Sequence, residues 1–239
     1  MYNVEACFSP AQYESYENSE AVVIVTDILR ASSAIVTAFM NGVDKIIPVG
    51  TLNEARAMKE KGYMVAAERD GIVRDFADFG NSPYNFTSER VSGNDIVYST
   101  TNGTHAINLA SSGSQVLIGA YLNITALAEY VKDQKRDVLI LCAGWKNRFN
   151  LEDTLFAGAL AKLILQHASF TTICDAVIGA IDLYDLASGD MMAYIDKVAQ
   201  RERLRKNGLD DVIGYCHEHD KTNIIPAFKN GYITSVNQI

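Results

Sequence analysis

VLILCAGWKNRFNLED, residues 138–153, joins a strand signal, a turn signal and a helix start in one short stretch. Val138-Leu139-Ile140-Leu141 has the length and β-branched content of a buried strand, and at Cys142-Ala143-Gly144 the backbone must turn. Lys146 and Arg148 follow in the turn, and Asn150 is placed to cap a long helix whose first turn carries Glu152 and Asp153. Leu155, Phe156, Ala159, Leu160, Leu163 and Ile164 then recur at helical spacing, so this helix should pack on a sheet. A strand, a polar glycine turn and a helix N-terminus form a geometry that holds anions at the carboxyl end of a parallel sheet.

Outward from this stretch the same pattern repeats. Residues 21–25 are a buried strand ending in Thr26-Asp27, and residues 28–33 lead into a helix that Asn41-Gly42 terminates. Residues 45–49 are the next strand, and Thr51 with Glu54 forms a capping box. Residues 63–67 run directly into Glu68, a second strand-end carboxylate, and a long polar segment over 70–81 precedes a Ser82-Pro83 helix start. Residues 95–99 are a strand followed by Thr100-Thr101-Asn102-Gly103-Thr104, whose hydroxyls and glycine suit an oxyanion. Another unit, a strand over 115–119 and a helix over 124–132, precedes the central strand. A short strand over 4–8 opens the chain, and residues 224–228, Asn230-Gly231 and 232–236 close it as a hairpin. The alternation predicts an α/β fold with three α/β/α layers, a mostly parallel sheet and a C-terminal hairpin or antiparallel edge.

The 239 residues suffice for one large α/β domain spanning 1–239, and no stretch has linker composition. The longest apolar stretch, 21–40, has Asp27 and Arg30 at its centre, and no basic segment precedes an apolar one at the N-terminus. These features predict a cytoplasmic protein with no membrane partner. Cys7, Cys142, Cys174 and Cys216 lie far apart without a CxxC, so neither a zinc knuckle nor a disulfide framework is suggested; Cys7 and Cys174 read as core thiols. A net charge of −8 argues against nucleic acid, whereas a small anion needs only a local cluster of cations. A homo-oligomer is compatible with all of this.

GxGxxG, GxxxxGK[ST] and GxSxG are all absent, so dinucleotide binding, Walker-type hydrolysis and the serine-hydrolase elbow lose their main sequence support. His217-Glu218-His219 reads as a surface cluster, and Arg201, Glu202, Arg203, Arg205 and Lys206 read as a solvated helix face. The remaining chemistry lies at strand ends. Asp27, Glu68, Glu152 and Asp153 are hard oxygen ligands with few histidines nearby, which suits Mg²⁺. Arg30, Arg69, Arg74, Lys146 and Arg148 share these loops, and guanidinium forks recognise phosphate, carboxylate and sulfonate. An acidic chain with a cationic cleft implies a small anionic phosphate ester as ligand.

Two covalent mechanisms compete with metal-assisted hydrolysis. Cys142 to Arg148 has the Cys-x5-Arg spacing of cysteine phosphatases, although no histidine precedes the cysteine and Phe149 replaces the usual hydroxyl residue. Asp27 could be an aspartyl-phosphate nucleophile, but Leu29 stands where a second aspartate is expected. A regulatory anion-binding domain would keep the cations without needing the carboxylates.

DILRASSAI at 27–35, AERDG at 67–71, FGNSP at 79–83, TTNGT at 100–104 and CAGWKNRFNLED at 142–153 together resemble the 2-phosphosulfolactate phosphatases. The resemblance implies Mg²⁺-dependent hydrolysis of 2-phospho-3-sulfolactate to 3-sulfolactate and phosphate, a step toward coenzyme M in organisms that make it. A bacterial role in making sulfolactate for other ends fits equally. The site set is then Asp27, Cys142 and Asp153 as catalytic candidates and Asp27, Glu68, Glu152 and Asp153 as metal candidates. Substrate binding falls to Arg30, Ser32, Ser33, Arg69, Arg74, Thr100, Thr101, Asn102, Gly103, Thr104, Gly144, Lys146 and Arg148.

Overall fold

Every residue of the β-branched run Val22–Thr26 is buried, as expected of a strand covered on both faces. Its side chains alternate with period two. Val22 and Ile24 enter one apolar cluster, and Val23 and Val25 enter another on the opposite face. The computed structural model describes residues 1–112 and 115–236.

Among the described residues the strands are β1 Tyr2–Cys7, β2 Val22–Thr26, β3 Lys45–Pro48, β4 Met64–Arg69, β5 Ile72–Val73, β6 Asp95–Ser99, β7 Gln115–Ile118, β8 Val138–Cys142, β9 Phe170–Thr171, β10 Pro226–Lys229 and β11 Tyr232–Ser235. The helices are α1 Ala31–Met40, α2 Leu52–Glu60, α3 Ser88–Val91, α4 Gly103–Leu109, α5 Ile124–Gln134, α6 Leu151–Ile164, α7 Asp175–Ala187, α8 Met191–Ile195, α9 Ala199–Lys206 and α10 Ile213–Cys216. None of them is long and apolar enough to cross a membrane.

The strands form one sheet in the order β5-β4-β6-β3-β11-β10-β7-β2-β8-β1-β9. The α/β class, the mostly parallel sheet and the antiparallel edge all hold, the edge being β5 against β4. The C-terminal hairpin is present but occupies the middle of the sheet, with β11 against β3 and β10 against β7. These three successive antiparallel pairings make the two parallel blocks, β4-β6-β3 and β7-β2-β8-β1-β9, run in opposite senses.

The carboxyl ends of β2 and β6 nevertheless meet. Residues of both blocks share one apolar cluster with α1 and α4, which cover the same face of the sheet. At the junction Gly103 approaches α1 so closely that a Cβ would stand 2.5 Å from the Ala31 Cβ. On the other face α6 buries Leu155, Phe156 and Leu160, each contributing about 1.5–3 kcal/mol by removal from water. Gly158 allows α7 to pack against it, since a Cβ there would lie 2.0 Å from the Ala180 carbonyl oxygen.

The expected caps are present at Thr51, which forms a full capping box with Glu54, and at Asn150, whose side chain accepts from the Asp153 N–H. Ser82 does not cap. Pro83–Asn85 is a single 3-10 turn there, and part of the polar segment before it forms a tight β4–β5 hairpin instead of an open loop.

Candidate active site

Four strand ends converge at the cleft, with Asn102 supplied by the turn after β6. Asp27 follows β2, Glu68 belongs to the end of β4, and the turn 143–150 follows β8; Asp27, Arg30, Glu68, Asn81, Asn102, Trp145 and Arg203 line the space between them. Asp27 is buried, and its carboxylate lies against the start of α4, where a Cβ on Gly103 would stand 3.1 Å from Oδ2. Its Oδ1 accepts a 3.4 Å bond from the Ala31 N–H. Burial pushes this carboxyl up to about 6, and nearby Glu68 adds to the shift; the Ala31 bond, Arg203 and Arg30 pull it back.

The other carboxylates have different tasks. Asp153 accepts the Ile28 N–H at 2.8 Å and the Gly144 N–H at 3.0 Å, one on each oxygen. It thereby ties the turn after β2 to the turn after β8, and burial together with Asp27 pushes its carboxyl upward. Glu68 accepts from the Gly71 N–H at 2.6 Å and the Thr101 N–H at 2.8 Å, tying the turn after β4 to the turn after β6. Glu152 is 1% exposed, and its Oε1 has no partner among the described residues. Burial pushes the Glu152 carboxyl to about 7, with Asp27 raising it further and Arg203 opposing.

These contacts distinguish the four carboxylates expected to bind metal. Among the described residues no three His, Cys, Asp or Glu side chains group so as to hold a metal ion, and Glu68 and Asp153 are committed to backbone N–H groups. Asp27 accepts only the long Ala31 bond, and Glu152 Oε1 accepts none among the described residues. One or two carboxylates, with water and substrate phosphate, are a usual Mg²⁺ donor set, and an orphaned buried oxygen on Glu152 fits such a role.

Arg30 is 3% exposed and donates through Nη2 to Asn81 Oδ1 at 2.8 Å, so Asn81 of the FGNSP block fixes its guanidinium. Arg203 of α9 reaches the cleft from the far side. Its guanidinium carbon stands 3.6 Å from the centre of the Trp145 ring, and its Nε donates to Gln200 Oε1 at 3.1 Å. Gln200 in turn donates through Nε2 to the Leu29 carbonyl, locking α9 onto the turn between Asp27 and Arg30.

A model of the 2-phosphosulpholactate phosphatase family matches residues 7–231. The chain belongs to that family. It is an enzyme of the phosphoric monoester hydrolase class. It is 35% identical over 208 residues to a probable 2-phosphosulfolactate phosphatase of Thermotoga maritima, covering 87% of this chain and 89% of the relative. A probable 2-phosphosulfolactate phosphatase of Caldanaerobacter subterraneus subsp. tengcongensis is 32% identical over 231 residues, 92% of this chain and 95% of its own. One of Clostridium novyi is 32% identical over 234 residues, 97% and 99%. The resemblance drawn from the five sequence blocks therefore holds.

In this phosphatase several expected binding residues serve the scaffold. Ser32 Oγ accepts the Asp27 N–H at 2.7 Å, and Ser33 Oγ donates to the Ile28 carbonyl at 3.0 Å. Thr100 and Thr104 exchange backbone-to-hydroxyl bonds at 3.2 and 3.3 Å, and the Thr101 hydroxyl donates to Glu68. Arg69 turns back onto the Glu68 carbonyl, the Gly50 carbonyl and Ser99, and Arg74 has a buried Nε with no partner among the described residues. Asn102 accepts the Lys146 N–H at 3.1 Å, and Lys146 pairs with Asp70 at 2.9 Å on the rim. Arg148 is exposed, its backbone closing the turn on Trp145. Gly144 is required there: its φ is +62°, and a Cβ would lie 2.3 Å from the Arg148 carbonyl oxygen.

Cys142 is fully buried in the apolar cluster below the cleft, and burial pushes its thiol well above the usual range, with Asp153 adding to the shift. A protonated thiol in that position does not supply the thiolate that the Cys-x5-Arg reading needs. Arg203, Trp145, Asn81 and Gln200 were not among the expected site residues. Arg203, assigned to a solvated helix face, is part-buried because Trp145 and Gln200 draw it inward. His217 is also not a plain surface residue, since it packs 5.5 Å from the Tyr121 ring and its Nδ1 contacts the Ile213 carbonyl.

Proposed function

We propose that this chain hydrolyses 2-phospho-3-sulfolactate to 3-sulfolactate and phosphate in a Mg²⁺-dependent reaction at the cleft of Asp27, Arg30 and Arg203. The observation that carries the reading is that two part- or fully buried guanidinium groups, held from opposite sides by Asn81 and by Gln200 with Trp145, line one cleft with the Asp27 carboxylate. A substrate bearing phosphate, carboxylate and sulfonate needs more than one fixed cation, and a planar fork binds each of these groups through paired N–H bonds.

Asp27 and Glu152 would hold the metal. The ion would offset the phosphate charge and polarise the phosphoryl oxygens. Arg30 and Arg203 orient the anionic groups, and Trp145 shields one wall from water. Asp153 and Glu68, by joining strand-end turns through backbone N–H groups, keep these side chains in register. The product would feed a sulfonate route such as that to coenzyme M, and the reading carries with it the cytoplasmic placement and the small-anion partner expected from the sequence.

The test is phosphate release from 2-phosphosulfolactate, 2-phospholactate and p-nitrophenyl phosphate, with Mg²⁺ and with chelator. The expected result is Mg²⁺-dependent release with kcat/KM at least about tenfold higher for the sulfonated ester, as one charge-assisted contact warrants. Equal turnover of all three esters would contradict the substrate assignment.

A further inference from the structure

The hairpin of β4 and β5 divides its charged side chains between two faces of the sheet. Ala66 enters the apolar cluster below α1 and α4, whereas Val65 and Ala67 enter the one below α2. Alternation then puts Glu68 on the cleft side and Arg69 on the α2 side. The contacts agree, since Arg69 donates to Ser99 Oγ at 3.0 Å and, at 3.2 Å, to the carbonyl of Gly50, next to the Thr51 cap of α2. Glu68 pairs with Val73 across the hairpin and the Arg74 N–H donates to the Ala67 carbonyl, so Arg74 falls opposite Ala67 and shares the Arg69 face. Neither arginine lines the cleft.

These two arginines have no acid of their own. Asp70 pairs with Lys146, Asp75 with Arg56 and Asp78 with Lys59, so the aspartates of the segment are each held by another cation. Glu54, beside Gly50, is taken up by the Thr51 capping box. Among the described residues neither Arg69 nor Arg74 forms an ion pair, and the buried Nε of Arg74 has no hydrogen-bond partner. Burial lowers the Arg69 pKa and Arg74 lowers it further, with Glu68 opposing. Two part-buried guanidinium groups that repel each other call for an anion with several acceptor oxygens, which such forks bind through paired N–H bonds.

We propose that Arg69 and Arg74 form a second oxyanion site on the α2 face, outside the cleft, and that its occupant is inorganic phosphate, the ion that a phosphoric monoester hydrolase releases. Arg69 Nη1 also donates to the Glu68 carbonyl at 2.6 Å, and the Glu68 carboxylate ties the turn after β4 to the turn after β6 at the cleft. Phosphate that draws Arg69 away from this carbonyl loosens the two turns through a single residue, and so slows turnover without competing for the cleft. The site stands independently of which ester the cleft prefers.

Arginine Nε signals in proton–nitrogen NMR, followed during titration with inorganic phosphate and separately with methanesulfonate, read occupancy directly. The Arg74 signal is assigned by its loss in Arg74→Gln, or in Arg74→Lys if the first variant does not fold. It should shift with phosphate in the wild type and in Arg30→Gln alike, and methanesulfonate, a monoanion, should bind at least about tenfold more weakly. With any ester that the wild type turns over, added phosphate should lower kcat as well as raise KM, and in the Arg74 variant only the rise in KM should remain. An Arg74 signal that does not move, a shift lost in Arg30→Gln, or tighter binding of methanesulfonate would overturn the inference. Wholly competitive inhibition of the wild type, or a kcat effect that the Arg74 variant keeps, would overturn it as well. Failure of the wild type to hydrolyse 2-phosphosulfolactate would overturn only the proposed function.

Discussion

Arg203 sits over the Trp145 ring, with its guanidinium carbon 3.6 Å from the ring centre, and this contact turns one arginine of a charge-rich helix into a wall of the cleft. Arg203→Lys keeps a positive charge but loses both the fork and the stacking plane. The expected result is a 10²- to 10³-fold fall in kcat/KM for 2-phosphosulfolactate, about 3–4 kcal/mol of lost transition-state binding. Steady-state kinetics should show a smaller fall for 2-phospholactate, which lacks the sulfonate. Equal falls for both esters would remove Arg203 from sulfonate recognition.

Asp153 accepts backbone N–H bonds on both of its oxygens. Asn in its place can accept only one and must point an NH₂ at the other donor, leaving a buried N–H unpaired. Asp153→Asn should therefore lower stability by about 2–3 kcal/mol in denaturant unfolding, and activity should fall as the two turns separate. Wild-type stability in this variant would show that the two bonds do not hold the turns.

The local devices were legible in the sequence because each is complete within a few residues. The strand run 138–141, the Thr51–Glu54 box, the Asn150 cap and the Asn230-Gly231 hairpin all appear where expected. The placement of that hairpin between β3 and β7 was not legible, because strand pairing across more than a hundred residues leaves no periodic trace. Carboxylates at strand ends also look alike in sequence, yet Asp153 and Glu68 each accept two backbone N–H bonds, Asp27 accepts a single long one, and Glu152 keeps an unpaired oxygen. Arg203 was hidden by its neighbours. Arg205 and Glu202 do form exposed ion pairs, Arg201 is part-buried while pairing with Asp196, and the tertiary contact with Trp145 is what brings Arg203 to the cleft. Asn81 did carry a signal, since it stands inside FGNSP, but its partner Arg30 is far along the chain.

Glu152 gives a stability signature in the metal-free protein. Its carboxyl is raised from 4.5 to about 7, so the protonated form is the one the fold favours. That contribution is fully present below pH 4.5 and is lost as pH rises through 7, by about 3 kcal/mol at most. Glu152→Gln is neutral at every pH. It should match the wild type near pH 4.5 and exceed it in thermal stability at pH 8, whereas a gain that does not vary with pH would show that Glu152 does not titrate in this window.

Cys142→Ser removes the thiol and places a hydroxyl in an apolar site. Stability should drop by about 1–2 kcal/mol as a polar group is buried there. Mg²⁺-dependent turnover should persist in the folded variant, and mass spectrometry of acid-quenched wild type should show no phosphocysteine. A trapped phosphocysteine together with an inactive, folded serine variant would establish the cysteine mechanism.

Asp27 is where the account is most exposed to test, because the cleft, both arginines and the proposed metal all refer to it. Phosphate release from 2-phosphosulfolactate by wild type and Asp27→Asn, each assayed with saturating Mg²⁺ and with chelator, measures this directly. The wild type should turn over only with Mg²⁺, and the folded Asp27→Asn protein should lose at least about 10³-fold in kcat, roughly 4 kcal/mol of barrier. Chelator-resistant wild-type turnover, or an Asp27→Asn enzyme within tenfold of wild type, would contradict the site.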